Sequence, residues 1–204
     1  MNSKRLNLAI VFGGRSGEHD VSLMSARSVL GAIDTDKYQV WQIGITREGD
    51  WLTGDDTLAS FEKHHVDKLH SAILLKEGKT LTLSALKAGQ LEKVSDIDVI
   101  FPILHGTYGE DGTIQGYFEM LDVAYVGAGV LGSSLAMDKG LTKDVLLNKD
   151  FPVLAYDVFT RKAIESDIVA VAEASEKIAD YTLFVKPANL GSSVGISKAK
   201  NREE

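Results

Sequence analysis

The chain contains no cysteine. Disulfides, thiolate zinc sites and cysteine nucleophiles are therefore excluded, and a reducing cytoplasm is a consistent setting. Basic residues are also in deficit: 22 lysines and arginines against 29 acidic residues leave a net charge of −7. Nucleic acids and anionic membranes are held by basic patches, so neither is an expected partner. Long apolar runs are missing too. The opening MNSKR leads only into the apolar stretch 6–12, too short for a signal-peptide core or a membrane span. A soluble, unexported, cytoplasmic protein is expected. There is no internal repeat and no low-complexity tract. What remains is the composition of an ordinary globular protein, 204 residues with 44% hydrophobic and 25% charged, enough for one large domain or two modest ones.

The order of apolar patterns predicts an α/β protein. LNLAIVF (6–12) is a continuous apolar run ending at Gly13 and Gly14, as a buried parallel strand requires. HDVSLMSARSVLGAID then carries Leu23, Ala26, Leu30 and Ile33 at helical spacing, and YQVWQIGI (38–45) reads as the next strand. Residues 47–89 are polar and glycine-punctuated, with a hairpin at REGDW and a short strand at TLTLSAL; they read as an elaboration. DVIFPIL (98–104), a helix over about 113–121 and the short strand AYVG (124–127) complete four strands. The result is a small open parallel, Rossmann-like sheet with helices on both faces, which binds ligands at the carboxyl ends of its strands. A domain boundary is expected near 127–132, giving domains 1–128 and 129–204. The second should hold a helix at about 131–148, a strand FPVLAYDVFT, a helix at 163–179, and strands YTLFVKPA and VGISKAK.

Several loops carry possible chemistry. GAGVLG (127–132) matches G-x-G-x-x-G, but about 20 residues on stand Lys149, Asp150 and Phe151, at the start of a strand. A nicotinamide-binding loop needs its acidic residue at a strand's end, so an interdomain linker is the better reading. In FVKPANLGSSVG (184–195), Gly191 and Gly195 would let backbone N–H groups approach phosphate oxygens, Ser192 and Ser193 add hydroxyl donors, and Lys186 adds a point charge. A flexible hairpin is the competing reading. His105 follows a buried strand in a loop with Glu110 and Asp111; it could orient a carboxylate or exchange protons, or be structural. Glu18 stands where a strand's end meets a helix, either as a dipole-stabilised surface charge or as a carboxylate that captures an ammonium. His64, His65 and His70 lack the i, i+4 spacing of a helical zinc pair and read as solvated surface.

Taken in order, GGRSGEHDVS, HGTYGEDGTIQG, MDKGLTK and FVKPANLGSSVG resemble the D-alanine:D-alanine ligase family of the ATP-grasp superfamily. The resemblance runs through nearly the whole chain. It implies a substrate-binding α/β domain followed by the first ATP-grasp subdomain of an enzyme of peptidoglycan precursor synthesis. In that family ATP phosphorylates the carboxylate of one D-alanine, and the amine of a second attacks the acylphosphate. Carried over by motif, Glu18 would bind the first ammonium, His105 would lie against its carboxylate, and Ser192 would bridge from the glycine loop toward Glu18. Lys139 and Lys186 would contact the ATP phosphates, the backbone of Ser193, Val194 and Gly195 would close over the transferred group, and Gly191 and Ser192 would complete the nucleotide-binding loop.

Only nine residues follow Gly195, whereas the family pattern continues with a further domain. That part normally carries the adenine-binding hinge, the arginine of the tetrahedral intermediate, the mobile loop and the ligands for Mg²⁺ or Mn²⁺. The resemblance therefore implies an N-terminal portion with no metal ligands of its own, inactive alone, and homodimeric when full length. Two competing readings are a non-catalytic amino-acid- or nucleotide-binding module, and a nicotinamide-dependent oxidoreductase using GAGVLG. The choice among D-alanine, D-lactate and D-serine as second substrate lies beyond this sequence.

Overall fold

β1 (Leu6–Gly13) explains the architecture by itself, because its alternate residues feed two different hydrophobic clusters. Ala9 and Val11 pack with Ile43, Ile45, Ile114 and Phe118 on one face of the sheet. Leu8, Ile10 and Phe12 pack with Leu23, Ala26 and Phe61 on the other. A strand covered on both faces must be apolar throughout. Phe12 alone, fully buried, is worth roughly 2–3 kcal/mol.

The computed structural model describes residues 5–191 and 194–204. After β1 come α1 (His19–Ala32), β2 (Tyr38–Ile45), β3 (Trp51–Thr53), α2 (Thr57–Glu62), β4 (His70–Glu77), β5 (Thr80–Lys87), β6 (Gln90–Ile97), β7 (Val99–Leu104), α3 (Thr113–Met120) and β8 (Ala124–Tyr125). They form one sheet in the order β6-β5-β4-β3-β2-β1-β7-β8. β2, β1, β7 and β8 are parallel, with α1 and α2 against one face and α3 against the other. The expected open parallel sheet with helices on both faces is therefore present. It is only half of the whole. The presumed elaboration is an antiparallel meander, β3 to β6, that extends the same sheet; Ala72, Leu74, Leu81 and Leu83 are buried and join the core.

The chain forms two compact units, the first ending at Ser134 and the second spanning Leu135–Glu204. The division falls within α4 (Val130–Met137). The second unit holds α5 (Lys139–Leu147), α6 (Arg161–Ser166), α7 (Ile168–Glu176), β9 (Leu183–Val185) and β10 (Ser197–Ala199), the last two an antiparallel pair. Three sequence expectations are corrected here. The helix over 131–148 is broken at Asp138, whose carboxylate accepts from the Leu141 N–H and starts a new helix. The helix over 163–179 is interrupted at Asp167, which caps α7 through the Ala170 N–H. FPVLAYDVFT forms no strand, since β-favouring residues need a neighbouring strand to pair with. Among the described residues of the second unit, no apolar side chain is buried: Leu154 is 85% exposed and Phe184 61%.

Candidate active site

In the first unit the site is built where β1 and β7 end side by side. β1 stops at Gly13, whose φ of +87° and contacts both demand glycine: a Cβ there would sit 2.3 Å from the Ile45 carbonyl oxygen. The Gly14 N–H donates to that oxygen at 2.8 Å. The chain then turns through Arg15, Ser16 and Gly17, and Glu18 becomes the N-cap residue of α1. Ser22, fully buried on α1, ties the two strand ends together. Its hydroxyl accepts from the Gly13 N–H at 2.8 Å and donates to the Ile103 carbonyl of β7.

The loop after β7 is held by its own carboxylates. Gly106 N–H donates to Glu110 Oε2 at 2.8 Å, and Tyr108 and Thr113 N–H groups donate to Asp111 at 2.8 and 3.0 Å. Partial burial pulls the Asp111 carboxyl upward, but these hydrogen bonds outweigh it and hold the group below its usual value. Ser16 joins this loop to the first one: its hydroxyl donates to the His105 carbonyl at 2.7 Å and accepts from the Glu18 N–H at 3.1 Å. Arg15 stacks over the Tyr108 ring, 5.2 Å from its centroid.

These ties bring Glu18, His105 and Glu110 together, with their polar atoms within 4.8 Å of one another. Glu18 is only 3% exposed, while His105 is half-buried and Glu110 exposed. The distance from His105 Nδ1 to Glu110 Oε1 is 4.0 Å. Two ligands about 2.1 Å from one metal ion span that much only when they lie nearly opposite each other. A small zwitterion with separate cationic and anionic ends suits the spacing better: carboxylates can accept from an ammonium, and an imidazole N–H can donate to a carboxylate. His105 also borders a cavity of about 580 Å³ walled by Gly14, Arg15, Trp51, Tyr108 and Tyr117. Glu18 and Glu110 do not line that cavity, so it adjoins the cluster and does not contain it.

In the second unit Lys139 opens α5, and its ammonium donates to the carbonyls of Ala188 and Leu190. Its backbone N–H donates to Ala188 at 3.1 Å. Helix α5 and the glycine-rich loop are thus brought together through Lys139. Lys186 follows β9 with its ammonium 5.7 Å from the Phe184 ring centroid. Among the described residues neither lysine is paired with a carboxylate, so both charges can serve an anion. Gly195 has φ +70°, and a Cβ there would lie 2.8 Å from Pro187 Cγ. The Val194 N–H donates to the Gly191 carbonyl at 3.0 Å. Ser192 and Ser193 lie outside the described residues. GAGVLG runs from beyond β8, an edge strand of two residues, into α4. That is not the first β-α turn of the sheet, where a dinucleotide fingerprint belongs. His64 and His65 are exposed and His70 lies half-buried on β4.

Sequence reasoning passed over Ser16, Ser22 and Ser25. The signal was available: His19, Ser22 and Ser25 recur at three-residue steps on α1 beside Leu23 and Ala26, so small hydroxyl residues share the helix face expected to meet the sheet. His19, buried, donates from Nδ1 to the Gly14 carbonyl at 2.9 Å and stacks on Phe61.

The family model described as D-ala D-ala ligase N-terminus matches residues 7–128, and that described as D-ala D-ala ligase C-terminus matches 145–204. A curated D-alanine–D-alanine ligase of Natranaerobius thermophilus is 48% identical over 202 residues, covering 98% of this chain and 55% of the relative. One from Chloroherpeton thalassium is 44% identical and covers 100% and 57%. Among solved structures, the D-alanine-D-alanine ligase from Coxiella burnetii superposes with a TM-score of 0.80 at 31% identity, covering 98% of this chain and 56% of that one. The VanG D-Ala:D-Ser ligase from Enterococcus faecalis does so with a TM-score of 0.76 at 32% identity, covering 98% and 57%. The chain spans about half the length of the relatives it matches. With a family model covering more than half of its residues and close relatives along nearly all of them, this chain belongs to the D-alanine–D-alanine ligase family.

Proposed function

We propose that this chain supplies the first-substrate pocket and part of the nucleotide site of an ATP-dependent ligase that joins two D-alanine molecules for peptidoglycan synthesis. The observation that carries this reading is the Glu18, His105 and Glu110 cluster at the ends of β1 and β7. Glu18 accepts from the ammonium of the first D-alanine, and burial strengthens that charge-assisted hydrogen bond. Glu110 adds negative potential at the same end. His105 donates from its ring to the substrate carboxylate, the group to be activated. The two strand-end loops, tied by Ser16 and Ser22, fix these donors and acceptors before substrate arrives, and such positioning is the main demand of phosphoryl transfer.

ATP, as a substrate, supplies the phosphoryl group that activates this carboxylate. The residues of the second unit suit its phosphates: Lys139 and Lys186 provide charge, and Gly191, Val194 and Gly195 provide a loop backbone whose turn at Gly195, where a Cβ would meet Pro187, suits glycine. No ligand for Mg²⁺ is proposed among this chain's residues. The same reading carries a cytoplasmic location, a homodimer for the full-length protein, and domains at 1–128 and 129–204. No described helix is long and apolar enough to cross a membrane.

The unburied apolar side chains of the second unit fit a nucleotide site that these residues alone do not complete. The 204-residue chain is thus expected to bind D-alanine without forming dipeptide from D-alanine and ATP. Calorimetric titration with D-alanine and L-alanine, alongside a phosphate-release assay, tests both parts. Saturable binding of D-alanine in preference to L-alanine is expected; equal or absent binding would overturn the pocket assignment, and D-alanyl-D-alanine formation would overturn the inactivity.

A further inference from the structure

We propose that Ser25 is a positioning residue that fixes the His105 ring with a proton on Nδ1, facing the Glu110 carboxylate. This rests on the amino-acid reading of the cluster. Ser25 lies half-buried on α1, two residues beyond Leu23, and its Oγ is 2.9 Å from His105 Nε2. Among the described residues that hydroxyl has no other hydrogen-bond partner, so its hydrogen is free to turn toward the ring. The opposite ring nitrogen, Nδ1, faces Glu110 Oε1 at 4.0 Å.

A neutral imidazole carries one N–H and one lone pair, and its surroundings decide which nitrogen holds the proton. A lone pair on Nδ1 would point at a carboxylate; an N–H there would be attracted to it. Ser25 completes the choice, since its hydroxyl can donate to an unprotonated Nε2. The same hydroxyl can also accept from a protonated Nε2, because a serine oxygen both donates and accepts. In either protonation state of the ring, Nδ1 therefore keeps its hydrogen on the substrate side. The consequence is a permanent donor for the carboxylate of a bound amino acid. The His105 backbone is fixed separately, by Ser16 on its carbonyl, so Ser25 sets the orientation of the ring and Ser16 the position of the loop.

The test is long-range ¹H–¹⁵N correlation spectroscopy of the histidine rings in the 204-residue chain, with His105 assigned by its loss in His105→Gln. The wild-type ring is expected as the Nδ1–H tautomer at neutral and higher pH. Ser25→Ala should move the population toward Nε2–H and weaken D-alanine binding about 3- to 10-fold, the value of one neutral hydrogen bond. Ser25→Thr keeps the hydroxyl and should restore both readouts. Ser28→Ala, which alters an exposed serine of the same helix bonded to the Met24 carbonyl, should change neither. An Nε2–H tautomer in the wild type, or an unchanged tautomer in Ser25→Ala, would overturn the proposal. Should Ser25→Ala fail to fold, Ser25→Cys, which keeps the volume but has only a weak S–H donor, makes the same comparison, and an unchanged tautomer in it would overturn the proposal. Absence of D-alanine binding by the wild type would remove the amino-acid reading alone, because the tautomer is read without ligand.

Discussion

Replacing Ser22 by alanine should loosen the junction on which the site stands. The Ser22 hydroxyl is fully buried and serves two backbone groups at once, the Gly13 N–H at 2.8 Å and the Ile103 carbonyl. Alanine leaves both groups buried without that partner, and each such loss costs about 1–3 kcal/mol. The better helix propensity of alanine returns roughly 0.5 kcal/mol. The net expectation is a destabilisation of about 2–5 kcal/mol, a large share of the roughly 5–15 kcal/mol that holds a domain. Urea unfolding followed by circular dichroism measures it, and the midpoint should fall while the slope stays constant. In a unit of this size the thermal midpoint should drop by about 5–15 °C. A loss below about 0.5 kcal/mol, half of the smallest single hydrogen-bond cost, would mean that the strand ends hold their places without the serine.

Other consequences are equally direct. Gly13→Ala places a methyl group 2.3 Å from the Ile45 carbonyl at φ +87°; it should destabilise by about 2–4 kcal/mol, from backbone strain and overpacking together, and the same unfolding assay reads it. In the second unit, hydrogen bonds from Arg202 and then Tyr181 hold the Glu176 carboxyl at about 2, down from 4.5. A depressed carboxylate stabilises the fold above its unfolded value and loses that contribution as pH falls from 4.5 toward 2. Carboxyl ¹³C titration should therefore find Glu176 near 2, moving up toward 4.5 in Arg202→Ala, and a midpoint that ignores this change would contradict the pairing. Hydrogen exchange should be slow in β1 and β7 and far faster in β9 and β10, because a two-stranded pair without a buried apolar face is marginal in water; equal protection would be the contrary result.

How much of this was legible follows from which residues carry a periodic signal. β1 and β7 are apolar throughout because both of their faces are covered, so LNLAIVF and DVIFPIL announce themselves. β6 does not: QLEKVSDI is an edge strand, exposed along its first four residues, and no apolar alternation marks it. β4, HSAILLKE, alternates only through Ala72 and Leu74. FPVLAYDVFT erred in the other direction, with strand-forming residues but no strand beside it. Asp138 and Asp167 break apolar patterns that run on through them, because a capping side chain outweighs continued periodicity. At the site, Glu18 and His105 stood out as charged or titratable residues beside glycines. Ser16, Ser22 and Ser25 did not, although they fix the geometry, because a small hydroxyl on a core-facing helix looks neutral until its partners are known.

In the proposed site the buried Glu18 carboxylate holds the ammonium of a small D-amino acid. Calorimetric titration of D-alanine into the wild-type chain and into Glu18→Gln tests it most directly, because the substitution keeps the shape and removes the charge. A charge-assisted hydrogen bond worth roughly 1.5–3 kcal/mol predicts binding about 10- to 150-fold weaker, with the thermal midpoint of the fold retained. Equal affinity in the two proteins would mean that the Glu18 charge does not hold the ammonium.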